Sequence, residues 1–196
     1  MILVILGIVA AGLGIIARWD EPLPLGAGMC GVIILGAFAE GVIIRCLVSG
    51  GMGGDLLMLS VAGGCLLLAS VTDIAICQVY NFVWWPVWAA AVPFLSEMPG
   101  TAVCALALFV LLQFVVFGPL YGRADCYGFC ACAAAGASSG MGLWGFLTQM
   151  FLAWLLLLTV QVWRGNVDKG GNLKRPVPFL PYINVSFWLA LAFREL

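Results

Sequence analysis

The sequence predicts an all-α fold, a polytopic membrane helix bundle of about eight transmembrane helices, and three observations predict it. Hydrophobic residues make up 64% of the chain and charged residues 9%, with no His, a balance far from that of a water-soluble domain. The apolar stretches run for roughly 16 to 22 residues, the length with which an α-helix crosses a hydrocarbon layer ~30 Å thick. Between them fall short segments punctuated by Pro, Gly or charge, of which "RWDEPLP", "SEMPG" and "RGNVDKGGNLKRPVP" are the clearest. The bilayer is therefore the first partner the chain implies, and no nucleic-acid partner is expected.

The elements follow in order. "MILVILGIVAAGLGIIA" opens the chain with neither a basic leader region nor a small-residue cleavage site, so residues 1–17 are expected to stay as a first span. Spans two and three are expected at 27–48 and 55–76, with Asp55 capping the open N–H groups of the third. A fourth at 81–96 begins in "NFVWWPVW", where Trp84, Trp85 and Trp88 suit an interfacial belt, half buried and half wet. A fifth lies at 100–118. The sixth, 125–140, contains "CYGFCACAAAGASSG", which is short and poor in large apolar side chains and so suits a helix surrounded by protein. The seventh and eighth are placed at 142–164 and 178–194.

Basic residues orient the bundle. With eight spans and the N-terminus outside, Arg18, Arg123, Arg164, Lys169, Lys174 and Arg175 lie in the cytoplasm and Arg45 and Arg194 outside. The cluster at 164–175 sets topology and meets anionic headgroups. Eight cysteines are scattered through apolar stretches without a CxxC pair, so they are expected to act as small packing residues. No metal and no cofactor are expected.

The acids sort by position. Asp20, Glu21, Glu97, Asp168 and Glu195 belong to loops or ends. Glu40, Asp73 and Asp125 fall within spans, where a carboxylate costs about 2.5 to 3.5 kcal/mol even on the lenient insertion scale. Parity supplies a reason for two of them. Asp73 lies near the cytoplasmic end of span three and Asp125 at the start of span six, so both return to one membrane face. Two carboxylates that share a site cannot both ionise cheaply, and one takes up a proton while the other stays charged. Such a pair can hydrolyse a peptide bond: one Asp draws a proton from water while the other protonates the carbonyl oxygen and then the leaving amine. By spacing alone, a proton or cation pathway would use the two residues equally well. Glu40 receives no assignment beyond pairing with a polar group in the bundle.

The local sequence around these aspartates resembles the type IV prepilin peptidases, membrane aspartyl proteases related to the archaeal preflagellin peptidases. Their GxGD motif is matched by Gly122, Arg123, Ala124 and Asp125, with Ala in place of the second Gly. "DIAICQVYN" places Asn81 eight residues after Asp73, the family's separation, with Val79 and Tyr80 where Ile and Pro usually stand and without the usual basic residues. "VPFLPYINVSFWLAL" resembles the Pro-Phe-x-Pro opening of the last helix, at Pro178, Phe179 and Pro181. Tyr127 stands where the family often has Lys.

The resemblance implies a peptidase core over residues 55–196, preceded at 1–54 by two accessory transmembrane helices. It implies catalytic roles for Asp73 and Asp125, with Gly122, Ala124, Asn81, Pro178, Phe179 and Pro181 as motif positions. Larger members carry a cytoplasmic zinc-binding insert associated with methylation, whereas this chain has only the short "RWDEPLPLG" between spans one and two. It is thus expected to be a peptidase-only form in the plasma membrane, its site facing the cytoplasm, cutting the basic leader from prepilin-like substrates. Ala131, Ala133, Ala134, Ala135 and Gly136 would let a second helix approach, or would simply pack the bundle. A small transporter and a non-catalytic assembly subunit are the competing classes. A transporter would place its ionisable groups near the midplane. The Tyr-Asp and Pro-Ala-Leu signatures of presenilin-like proteases, which share the GxGD aspartate, are absent.

Overall fold

The computed structural model describes residues 1–19, 23, 25–49, 56–166 and 177–193, and those residues are all-helical, with no strand among them. Eight α-helices follow one another: α1 (Ile2–Trp19), α2 (Ala27–Ser49), α3 (Leu56–Ile76), α4 (Trp85–Glu97), α5 (Gly100–Leu112), α6 (Arg123–Ser138), α7 (Leu143–Trp163) and α8 (Leu180–Phe193). A 3-10 turn, Asn81–Trp84, leads into α4, and α5 continues as a π-helical turn, Gln113–Phe117. Five of these helices are long and apolar enough to cross a membrane: α1, α2, α3, α5 with its π turn, and α7. The other three are shorter, at 13 residues for α4, 16 for α6 and 14 for α8. At 1.5 Å per residue, α8 reaches only about 21 Å, less than the hydrocarbon thickness. Of the eight spans expected from the apolar runs, five are therefore long and apolar enough to cross a membrane, and the helices at 81–96, 125–140 and 178–194 are shorter.

α3 is the centre. Met58 to Asp73 is buried apart from the half-buried Val61, and α1, α2, α4, α6 and α8 all pack against it. Its sequence explains this, because Ala62, Gly63, Gly64, Cys65 and Ala69 interrupt the leucines and let neighbouring backbones approach. A Cβ on Gly64 would stand 2.9 Å from Ile8 Cβ, so α1 sits where only glycine leaves room. Two of the buried hydroxyls of α3 are satisfied within the helix, Ser60 donating to Leu56 O at 2.7 Å and Thr72 to Ala69 O at 3.0 Å, whereas the buried Ser70 Oγ has no partner among the described residues.

α6 is buried from Gly128 to Ala137, in keeping with its small side chains. A Schellman turn ends it, with Gly140 at φ 77°, its N–H bonded to Ala137 O and the Met141 N–H to Gly136 O. By contrast, Leu3, Leu35, Val115, Trp144 and Phe151 stand exposed on the outer helices, an apolar exterior compatible with a hydrocarbon surround.

Trp84 corrects an expectation. It is 1% exposed, packs beside Gly128 of α6, and leaves its indole N–H without a hydrogen-bond partner. It is a core residue, and of the three only Trp85, exposed, and Trp88, half buried, remain open to the surroundings. The 3-10 turn rotates position 84 inward, which a helical reading of the run did not anticipate. Asp20, Glu21, Asp55, Asp168, Lys169, Lys174, Arg175, Arg194 and Glu195 lie outside the described residues.

The end of α3 is built from an uncommon residue. Cys77 has φ 52°, the left-handed conformation that glycine usually supplies there, and its N–H bonds Asp73 O at 2.9 Å. A left-handed non-glycine residue costs about 1 to 2 kcal/mol. Cys77→Gly is expected to raise unfolding stability by about 1 kcal/mol, and Cys77→Val to lower it, by thermal denaturation of the micelle-solubilised protein.

Candidate active site

Three helix ends converge: the last turn of α3 and the first turns of α6 and α8. Asp73 is on the last turn of α3 and 8% exposed. Its Oδ2 accepts the Leu180 N–H at 3.0 Å, and the Phe179 N–H also points to it. The flanking prolines explain why these amides are free to bind. Pro178 and Pro181 carry no N–H, and Pro181 in the first turn costs the helix nothing. The two donors left at the mouth of α8 are therefore both given to one carboxylate. A negative charge in the last turn of its own helix is disfavoured, and the positive end of α8 offsets it.

Asp125 occupies the third position of α6, half buried, and its Oδ2 accepts the Gly122 N–H at 3.2 Å. Gly122 is exposed with φ −64°, a conformation open to any residue. Ala124 lies in the first helical turn, where Ala is a better helix former than Gly. The Asp73 carboxylate acts electrostatically on that of Asp125, although two helices, α4 and α5, lie between α3 and α6 in the chain.

Of the other motif positions, Phe179 is buried and its amide is brought to Asp73, and Pro178 and Pro181, which flank the Phe179–Leu180 pair in the chain, are half buried. Asn81 is not drawn inward and stands exposed at the head of the 3-10 turn. Arg123 is exposed at the start of α6.

An aromatic cluster supports this end of the bundle. The ring of Phe179 lies 4.8 Å from Trp154, 5.9 Å from Phe129 and 6.0 Å from Tyr121, centroid to centroid. Tyr121 precedes α6 and donates its hydroxyl hydrogen bond to Gln113 Oε1. Gln113 is fully buried where α5 turns π-helical; its Nε2 reaches Met150 Sδ at 3.4 Å and its carbonyl accepts from Cys126 Sγ. Burial first, then the neighbouring Cys126, Cys130 and Asp125 groups, push the Tyr121 phenol above its usual range, which keeps it a neutral donor. On the far side, Gln161 Nε2 donates to Tyr182 Oη at 3.1 Å and Gln161 Oε1 accepts from Asn166 Nδ2 at 2.9 Å, tying the end of α7 to the start of α8.

Sequence reasoning missed Gln113, Tyr121 and Gln161. The signal was present: an amide inside an apolar run must find a partner just as a carboxylate must. The eight cysteines are free thiols, and no cluster of metal-ligating side chains occurs among the described residues.

Comparison of the chain with protein-family models, curated proteins and solved structures finds no match.

Tyr121→Phe keeps the ring contacts but strips Gln113 Oε1 of its donor inside the bundle. The expected loss is about 1 to 3 kcal/mol of stability, the cost of an orphaned buried acceptor, measurable by denaturation in micelles. Tyr121→Phe with Gln113→Leu should recover most of it.

Proposed function

We propose that this chain is a membrane-embedded aspartic endopeptidase of the prepilin-peptidase kind, removing a leader peptide from prepilin-like substrates at the cytoplasmic face. The observation that carries the reading is the convergence of the α3 end bearing Asp73 with the starts of α6, which bears Asp125, and α8, Asp73 being anchored to the Pro-Phe-x-Pro start of α8. That end joins three stretches of sequence which resemble the same family.

In this reading the pair shares one proton. The ionised aspartate draws a proton from a water molecule, the water oxygen bonds to the scissile carbonyl carbon, and the protonated aspartate donates to the carbonyl oxygen. Collapse of the tetrahedral intermediate breaks the C–N bond as the leaving amine takes a proton from the diad. The amides of Phe179 and Leu180 hold the Asp73 carboxylate in place through the cycle.

The reading takes all eight helices as membrane segments with the N-terminus outside. This puts Arg18, Arg123 and Arg164 beside the site end, on the cytoplasmic side. The short α6 and α8 need not match the hydrocarbon thickness, because both are largely enclosed by neighbouring helices. A proton or ion pathway is the competing use of the same pair, and catalysis distinguishes them.

Co-expression with a prepilin-like substrate provides the test, with leader removal followed by the substrate's shift in electrophoretic mobility. Asp73→Asn and Asp125→Asn are each expected to slow processing by about 10²-fold or more, while Glu97→Gln, exposed at the end of α4, leaves it unchanged. Retention of wild-type processing by both aspartate variants would falsify the diad. The wild-type rate is expected to trace a bell in pH, since the doubly ionised and doubly protonated pairs each lack one of the two roles.

A further inference from the structure

Two polar knots are buried in the bundle besides the aspartates. In one, midway along α2, Glu40 Oε1 accepts from Asn184 Nδ2 at 2.9 Å and Asn184 Oδ1 accepts the Trp188 Nε1–H at 2.9 Å. Glu40 Oε2, packed against Gly63 of α3, has no hydrogen-bond partner among the described residues. The other knot, Gln113 with Tyr121, lies at the site end and reaches the groups that hold both aspartates.

The route to Asp125 is short. Asp125 Oδ2 accepts the Gly122 N–H at 3.2 Å. That N–H belongs to the planar Tyr121–Gly122 peptide group, so the placement of Tyr121 sets the direction of the donor. Gln113 holds Tyr121 by accepting its hydroxyl on Oε1, and the Gln113 carbonyl accepts from Cys126 Sγ at 3.4 Å. One residue thus grips the chain before and after Asp125. The route to Asp73 runs through the ring. Tyr121 meets Phe179 edge-on, with centroids 6.0 Å apart, and the Phe179 N–H points to the Asp73 carboxylate beside that of Leu180.

Packing alone does not call for the hydroxyl. A phenylalanine at 121 would keep the ring contacts with Phe117, Phe129, Trp154 and Phe179. An apolar side chain at 113 would spare a fully buried amide its desolvation. What such a pair lacks is direction, since a hydrogen bond fixes distance and angle together and a satisfied buried polar pair rigidifies its surroundings. The anchor is itself tied down: Gln113 opens the π turn of α5, and its Nε2 reaches Met150 Sδ of α7 at 3.4 Å.

We propose that Tyr121, locked by Gln113, is the positioning residue that holds Asp73 and Asp125 at a fixed separation. Its hydroxyl fixes the side chain, its peptide group aims the Gly122 N–H at Asp125, and its ring backs Phe179, whose N–H faces Asp73. Its consequence for catalysis rests on the peptidase reading, whereas the placement of the carboxylates does not, and the two are tested separately.

The variant for both tests is Tyr121→Phe with Gln113→Leu in the full chain in micelles, where lost stability is largely recovered but the directional tie is gone. Amide hydrogen exchange is followed by NMR at Gly122 and, as an internal reference, at Ala133 in the buried part of α6. Exchange at Gly122 is expected to rise several-fold while Ala133 keeps its wild-type rate. Gln113→Glu, which keeps an acceptor for the hydroxyl, is expected to leave both rates near wild type. No rise at Gly122, or an equal rise at both amides, overturns the proposal. With a prepilin-like substrate, kcat for leader removal by the double variant is expected to fall about tenfold with KM unchanged. A purely structural role would instead restore kcat along with the melting midpoint, and that result overturns the positioning role where Asp73→Asn abolishes processing. If both aspartate variants process as wild type does, the peptidase reading falls, and the exchange comparison alone decides the placement.

Discussion

The carboxylate of Asp73 accepting the free amides at the start of α8, across 107 residues of chain, is the constraint on which this end of the molecule rests. It joins the C-terminal end of the most buried helix to the N-terminal end of the last one. It is also economical in backbone groups: two prolines remove donors that would otherwise need partners, and the remaining two meet one acceptor. A buried acid and an open helix end would each be costly alone, and each satisfies the other.

Around that junction the chain uses two packing materials. α3 and α6 are rich in Gly, Ala and Cys, which bring backbones close and give association through dense contact. The start of α8 is instead wedged by rings, Phe179 against Trp154, Phe129 and Tyr121. Tyr121 hydrogen-bonds Gln113 at the point where α5 loses its regular winding. A π turn commonly marks a place where local regularity gives way to a specific contact. Here it presents a buried amide to the residue that leads into Asp125. The deeper polar cluster at Glu40 follows a different rule, with a carboxyl held by one amide and one indole beside open space.

Much of this was legible in the chain. Helix positions agree with the apolar runs to within a few residues, because a run of apolar side chains bounded by Pro, Gly and charge has few alternatives in a membrane. The enclosure of α6 followed from its small residues. Glu40 was expected to pair with a polar group but had no nameable partner, because Asn184 is 144 residues away and nothing local points to it. Trp84 was misplaced for a related reason: an indole between an interface and a core looks the same in sequence, and the 3-10 turn that rotates it inward is a tertiary outcome. Asn81, singled out by its spacing from Asp73, stays on the surface.

By itself, the sequence determined the helical class and the order of the helices, since these depend on local hydropathy and on where Pro, Gly and charge interrupt it. Only the tertiary structure decided which groups meet. It set the two amides of α8 on Asp73, Gln113 on Tyr121, and Asn184 with Trp188 around a half-satisfied Glu40. Hydrogen bonds between distant helices depend on crossing angles and on where glycines let backbones approach, and those quantities are set by the packing of the whole bundle and by no single stretch of chain.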